Sequence, residues 1–305
     1  MKKRTVFGLP LNPAHLLDQL EGASFCVSYY HRSKLGRQLI QAIDLVGDDQ
    51  LLMVDNGAFS AWRNGKPLDE QHWDAFARWG IRILDACPQA VMVIPDVIGG
   101  SVEENHQLAC EFTAGLSLLY GRADLVDRCM MVWHMHEPID HLLGMVEGGY
   151  QYIAIGSSGE YAKVGTPAWH ARIREAFAAL DGLCCEGSGY RRPWMHLMRG
   201  QSMFHLYPFD SCDSCNVAVN HNTWKRSNPG ENHVARMAGG IKRRADGSCN
   251  GLERVESPAA LAELVSGWWS KRREVRHERD AAVDRGHDPA VGDRTDHAWR
   301  CALSG

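Results

Sequence analysis

Short apolar runs alternate with longer amphipathic stretches along most of the chain. Strand-length runs occur at Ser24–Tyr30, Leu51–Val54, Val91–Ile94, Met130–Trp133, Tyr152–Ile155, Trp194–Leu197 and Phe204–Tyr207. Their apolar residues are nearly continuous, which suits strands covered on both faces. Between them, apolar residues recur at helical spacing from Leu35 to Val46, from His72 to Cys87 and from Val102 to Tyr120. Thr166-Pro167 reads as an N-cap followed by proline at the first helical position, opening a helix that closes near Leu180. This alternation predicts a parallel sheet with right-handed crossovers. Seven such strands favour a TIM-type (β/α)8 barrel over an open sheet. The eighth strand is either Asn216–Asn220 or a segment before residue 20. No glycine-rich dinucleotide loop follows the first strand.

After Asp213 the pattern weakens. Residues Asn220–Asn250, rich in Asn, Gly, Lys and Arg, read as a loop-rich C-terminal extension. Pro258–Trp269 reads as one more short helix. Residues 271–305 are charged and poor in large apolar side chains, which predicts a disordered tail. The expected organisation is one catalytic domain over residues 1–270 and a tail over 271–305.

Composition narrows this picture a little. With 305 residues, 45% of them hydrophobic, the chain can fill a barrel core. A net charge of -4 argues against a generally basic nucleic-acid coat, but leaves room for a local basic groove. No apolar run is long enough to span a bilayer. The start, Met-Lys-Lys-Arg-Thr-Val-Phe-Gly, lacks the pattern of a secretory signal. The ten cysteines are scattered and read as reduced thiols. Together these favour a cytoplasmic protein with no membrane partner.

Polar residues fall at the ends of the apolar runs, where a parallel barrel gathers its chemistry. Asp55-Asn56-Gly57 follows Val54, and Asp96 follows Ile94-Pro95. His134 and His136 follow Trp133, and Gly156-Ser157-Ser158-Gly159-Glu160 follows Ile155. Met198-Arg199-Gly200 follows Leu197, and Asp210 and Asp213 follow the Phe204 run. A carboxylate directly after a buried strand is costly unless it has partners or a task. One such Asp reads as a cap or turn residue; three on successive strand ends read as a pocket.

At these residues the sequence resembles the tRNA-guanine transglycosylase superfamily, and most closely its DpdA-like branch of deazapurine DNA modification proteins. The resemblance spans roughly residues 50 to 225. Val54-Asp55-Asn56-Gly57-Ala58-Phe59-Ser60 is similar to the family's Asp-Ser-Gly-Gly-Phe-Gln loop, which implies Asp55 near the reaction centre and Phe59 stacked on a base. The alternative for Phe59 is plain core packing. Pro95-Asp96 resembles the family's base-recognising Asp, since a carboxylate accepts hydrogen bonds from the Watson–Crick edge of guanine. His134 falls where relatives carry a base-contacting Gln. Gly156, Ser157 and Gly159 fall in a glycine-rich turn whose backbone meets the base. Met198 belongs to a block that gives the pocket an apolar wall. Pro208-Phe209-Asp210-Ser211-Cys212-Asp213-Ser214 resembles the segment that ends in the nucleophile. That alignment implies Asp213 as nucleophile, with Asp210 as the alternative or as a support for the loop.

The resemblance implies exchange of guanine in DNA for a 7-deazaguanine such as preQ0, through a covalent Asp-glycosyl intermediate. A target inside a duplex must be flipped out or already single-stranded, and an accessory ATPase or helicase is an expected partner. The chain departs from the tRNA enzymes in lacking their Cys-x-Cys-x2-Cys zinc site. Cys212, Cys215 and His221 (or His233) are weak substitutes, and no cofactor is expected. Arg191, Arg192, Arg199, Lys225 and Arg226 are candidate phosphate contacts, with Lys242 to Arg244 behind them and Trp224 as a stacking surface. Three other readings are a tRNA-guanine transglycosylase, a metal-dependent barrel hydrolase using His134 and His136, and a non-catalytic nucleic-acid-binding barrel.

Overall fold

The computed structural model describes residues 3–245. Eight parallel strands close into a barrel in chain order: β1 Arg4–Gly8, β2 Ser24–Ser28, β3 Leu52–Asp55, β4 Ala90–Val93, β5 Cys129–His134, β6 Tyr152–Gly156, β7 Trp194–Leu197 and β8 Ser211–Ser214. The ladder from β8 back to β1, Val6 opposite Asp213, completes the closure. The fold is therefore the TIM-type (β/α)8 barrel expected from the alternating pattern. Helices α1 (Arg32–Leu35), α2 (Gln38–Leu45), α3 (Ala58–Arg63), α4 (Glu70–Ala86), α5 (Val102–Leu118), α6 (Ile139–Glu147), α7 (Pro167–Leu183), α8 (Asn216–Ser227) and α9 (His233–Ala245) follow the strands.

Local signals set several of these elements. Asp69 caps α4 by accepting from the His72 amide, and Ser101 with Glu104 forms a capping box on α5. Thr166 caps α7 with Pro167 at its first turn, as its sequence predicts. One strand expectation fails. Phe204–Tyr207 is not a strand: residues Gln201–Leu206 form a 3-10 turn, and Phe204 packs in the core. An isolated Phe-His-Leu-Tyr run has no helical or strand period long enough to tell the two apart. The eighth strand is Ser211–Ser214, the first is the segment before residue 20, and Asn216–Asn220 opens α8 instead.

The loop-rich reading of the chain after residue 220 is corrected as well. Helices α8 and α9 occupy most of residues 216–245 and pack on each other and on β1. Val217, Val234, Met237 and Ile241 supply their buried face. The sparse apolar residues there hide a helical stripe among Lys and Arg. The expected helix Pro258–Trp269 and the tail 271–305 lie outside the described residues. Among the described residues no helix is long and apolar enough to cross a membrane.

The core has two parts. A large outer layer fills the space between strands and helices, with Phe25, Leu52, Val54, Met92, Trp133, Trp169 and Phe177 among its members. A smaller cluster fills the barrel: Val6, Leu51, Met53, Val91, Val93, Met130, Val132 and Ala154. Strand side chains alternate in direction. Residues two further along from those interior positions therefore also point inward, at the strands' C-terminal mouth. They are Asp55 after Met53 and His134 after Val132.

Candidate active site

The apolar floor of the barrel stops at one layer, and a polar layer begins on it. Asp55 ends β3, across the ladder from Ser28 of β2. Asp213 lies in β8 itself rather than after a strand, with Val6 as its ladder partner. Asp96 follows β4 through Pro95, and His134 ends β5. All four are largely buried. Their charges reach one another: Asp96 and Asp213 both act on Asp55.

The two ends of this constellation are biased in opposite directions. Burial pushes the Asp55 carboxyl up to about 6. Its Ser28 neighbour and a 3.1 Å bond from the Gly57 amide pull it down, while the Asp96 and Asp213 charges add to the rise. Asp213 is buried too, yet its pKa lies below the ordinary carboxylate value. Burial there is outweighed by His196, whose Nε2 stands 3.4 Å from Oδ1, and by the Arg199 amide, which donates to the same oxygen at 2.8 Å. His196 is fully buried and is held from behind by the Ser211 hydroxyl at 2.8 Å from its Nδ1. The same hydroxyl accepts from Trp194 Nε1. Arg199 reaches Asp213 because its backbone takes a φ of 55°, a strained conformation for a side chain of this size.

Asp96 is held in place through both of its oxygens. Asn56 Nδ2 donates to its Oδ1 at 2.9 Å and to the Ile94 carbonyl at 2.6 Å. His134 Nε2 stands 3.2 Å from its Oδ2. Burial opposes protonation of His134, but Asp96 and the wholly buried Glu137 outweigh it, and its pKa rises above the ordinary value. Glu137 accepts from the His134 amide and from Asn105, and faces His141 at 3.0 Å. A carboxylate with one partner on each oxygen keeps a further lone pair on each for a ligand.

Phe59 stands at the mouth, half-buried, with the Arg199 guanidinium 3.8 Å above its ring. It is thus a mouth residue and not core packing. Met198 packs on the interior cluster as a wall. Gly156 closes β6 beside the His134 ring: a Cβ there would lie 3.3 Å from Nδ1. Gly159, at φ 55°, lies against His136, where a Cβ would come within 2.8 Å of the His136 Cβ.

Several expected site residues are placed elsewhere. Asp210 precedes β8 at the opposite end of the barrel. It accepts from the Met195 amide at 2.8 Å and sits 3.8 Å from Arg192. It is neither nucleophile nor base contact but a brace between β7 and β8. Arg191 and Arg192 precede β7 at that same end, and Arg192 also bonds the Pro208 carbonyl and lies over Phe177. Lys225 and Arg226 end α8, about 14 Å along the helix from its start at the mouth, at 1.5 Å per residue. Trp224 carries Arg236 on its ring and packs against the core. The Ser157 hydroxyl turns outward and accepts from Trp169 at 2.9 Å. Of the expected basic contacts, only Arg199 stands at the mouth.

The metal readings find no ligand set. His134 turns to Asp96, while His136 is exposed and bonds Ser158 at 2.8 Å. Cys212 lies in the outer core, Cys215 beside Gly8, and His221 faces His233 between α8 and α9. Among the described residues no group of three or more His, Cys, Asp or Glu is placed to hold a metal ion.

Four groups at the site carry no assignment from sequence: Ser28, Asn56, His196 and Glu137. For His196 the signal was present, because residues 194, 196 and 198 share one face of a strand. Glu137 and His141, four apart, also form a visible pair.

No family model and no curated protein matches this chain. Among solved structures it is similar to a tryptophan synthase from M. tuberculosis, in its open form with BRD0059 bound. Identity is 14%, with a TM-score of 0.45, over 80% of this chain and 93% of that one. It is also similar to tryptophan synthase subunit alpha from Legionella pneumophila str. Paris. There the identity is 11% and the TM-score 0.45, over 82% and 94%. Likeness at this level says nothing of the chemistry. Fold and mouth together define a (β/α)8 barrel with three carboxylates at the C-terminal end of its strands.

Proposed function

We propose that the chain is a base-exchange glycosyltransferase that replaces guanine in DNA with a 7-deazaguanine. One observation carries the reading. Asp55, Asp96 and Asp213 meet at one mouth, with Asp55 poised near pH 6 and Asp213 held ionised. Carboxyl groups whose environments push them apart are suited to different tasks.

Each group then has a role. Asp213 attacks C1′ of the nucleotide. The C1′–N9 bond breaks, its electron pair leaves with guanine, and a C1′–O bond to Asp213 forms. Asp55 gives its proton to the departing guanine. A 7-deazaguanine enters, loses its N9 proton to the Asp55 carboxylate, and attacks C1′ to release Asp213. One proton leaves Asp55 and one returns, which suits a group whose pKa lies near the working pH. Asp96, fixed by Asn56 and His134, accepts from the N1–H and exocyclic amine of each base in turn. Phe59 and Met198 supply the flat apolar walls.

The test is nucleoside mass spectrometry of DNA and tRNA from cells that express the chain together with a deazapurine pathway. Deazaguanine deoxynucleosides are expected with the wild type and absent with Asp213→Asn. Modified ribonucleosides alone would transfer the activity to tRNA. No modified nucleoside in either polymer, with soluble folded protein, would overturn the reading.

A further inference from the structure

The loops after β2 and β3 form one surface beside the mouth. Residues 29–43 carry Arg32, Lys34 and Arg37, residues 57–68 carry Arg63 and Lys66, and neither stretch has an Asp or Glu. These two stretches stop at Asp44 and Asp69, so the cations lie at the ends of the connections nearest the mouth and the carboxylates further on. All five cations are exposed. Among the described residues none of them forms an ion pair. The two loops are in contact. Gly57, at φ 83°, lies on Tyr30, where a Cβ would come within 2.7 Å of the Tyr30 Cβ. Lys66 Nζ stands 5.4 Å from the centre of the Tyr30 ring.

An aromatic track joins this surface to the site. The Arg199 amide holds Asp213, and its guanidinium covers Phe59. The Phe59 ring is 5.7 Å from that of Trp62. Trp62 is 54% exposed, a large indole left in water at the rim. Cations interleaved with exposed aromatic faces suit a polyanion that also carries flat rings. An acidic peptide would use the cations but leaves the indole unexplained.

We propose that this surface is the path of a single nucleic-acid strand leaving the reacting nucleotide. Trp62 stacks a neighbouring base, and Lys34, Arg63 and Lys66 meet the phosphates. This rests on the base-exchange reading, and it assigns the polymer contact to the β2–β3 corner instead of to Arg191, Arg192, Lys225 and Arg226.

The test is binding of a short fluorescein-labelled single-stranded deoxyoligonucleotide containing guanine to the full chain, by anisotropy over a salt series. Trp62→Ala is expected to weaken binding about 5-fold or more. The Arg63→Gln/Lys66→Gln double variant is expected to reduce the log–log salt slope by about 1.4, for two phosphate contacts at about 0.7 each. A matched loss of charge on α9, Arg243→Gln/Arg244→Gln, is expected to change neither. Unchanged affinity in Trp62→Ala with an unchanged slope in the double variant would overturn the path. So would an equal effect of the α9 control, or a duplex bound as tightly and insensitive to Trp62. These readouts need no turnover. If they came out as stated while no base was exchanged, the path would stand and the enzymatic reading would fall. Exchange that continued with affinity and salt slope unchanged in the variants would remove the path alone.

Discussion

Asp55 and Asp213 show how one mouth keeps two carboxyls in different states. Both lose water by burial, which favours the neutral acid. Asp213 regains what it lost from His196 and from the Arg199 amide, and Asp55 does not regain it from Ser28 and Gly57. Asp213→Asn should lower guanine release from an oligonucleotide by roughly 10³-fold or more, because the covalent route needs an anionic oxygen. Mass spectrometry of the trapped protein should show a nucleotide adduct in the wild type and none in the variant. Comparable turnover in Asp213→Asn would dismiss it as nucleophile. For Asp55 the linkage has a definite sign. Its folded pKa of about 6 lies above its unfolded value near 3.8, so the folded state binds the proton more tightly. The stabilisation is complete below pH 3.8 and is lost as pH rises through 6. Asp55→Asn, which cannot ionise, should therefore gain Tm relative to the wild type as pH is raised from 4 to 7. A constant difference between the two proteins over that range would show that Asp55 titrates normally.

At the scale of elements, the β3–α3 turn sets the site. Asp55 ends the strand, Asn56 turns to Asp96 and accepts from the Ala58 amide, and Gly57 at φ 83° lets the chain pass over Tyr30. A methyl group at Gly57 meets Tyr30 backbone and side-chain atoms below 3.0 Å and demands a left-handed conformation. Gly57→Ala should cost about 1–3 kcal/mol in urea unfolding. It should also lower activity beyond that loss of stability, because Asp55, Asn56 and Phe59 move with the turn. A variant as stable as the wild type would show that the loop relaxes. Elements of this kind were legible where a long period or a cap speaks: α4, α5 and α7, and the strands whose apolar runs are continuous. Phe204–Tyr207 misled because four residues carry no period, and α8 and α9 because their buried stripe is thin among cations. Asp55 and Asp96 were legible as polar residues after apolar strands, whereas Asp213 was read from the Phe204 run, which is no strand, and lies inside β8. Alternation along β7 puts His196 on the inner face, but its contacts with Ser211 and Asp213 were not legible, because they form only when β7 and β8 pair.

The molecule as a whole gathers Asp55, Asp96 and Asp213 at one end of the barrel axis and the Asp210 brace at the other, the division on which the base-exchange reading relies. Asp96 and Asp210 are both half to fully buried aspartates with amide partners, and sequence alone gives no reason to part them. The closed ladder does: Asp96 follows a strand and Asp210 precedes one. Asp210 joins the Met195 amide and Arg192 where the chain enters the barrel, far from Asp55 and Asp213 along the strands. Removing it leaves a buried amide without its side-chain partner, so Asp210→Ala should cost about 1–3 kcal/mol. Its activity per folded molecule should stay near that of the wild type. Asp96→Ala should differ in the second quantity. It takes the carboxylate partner from the Asn56 amide and the His134 imidazole and should cost a comparable stability, while on the base-exchange reading exchange per folded molecule should fall steeply. Urea unfolding and exchange kinetics on the same preparations give both quantities. Asp210→Ala that folds fully yet no longer exchanges bases would place chemistry at the wrong end of the barrel and break this division.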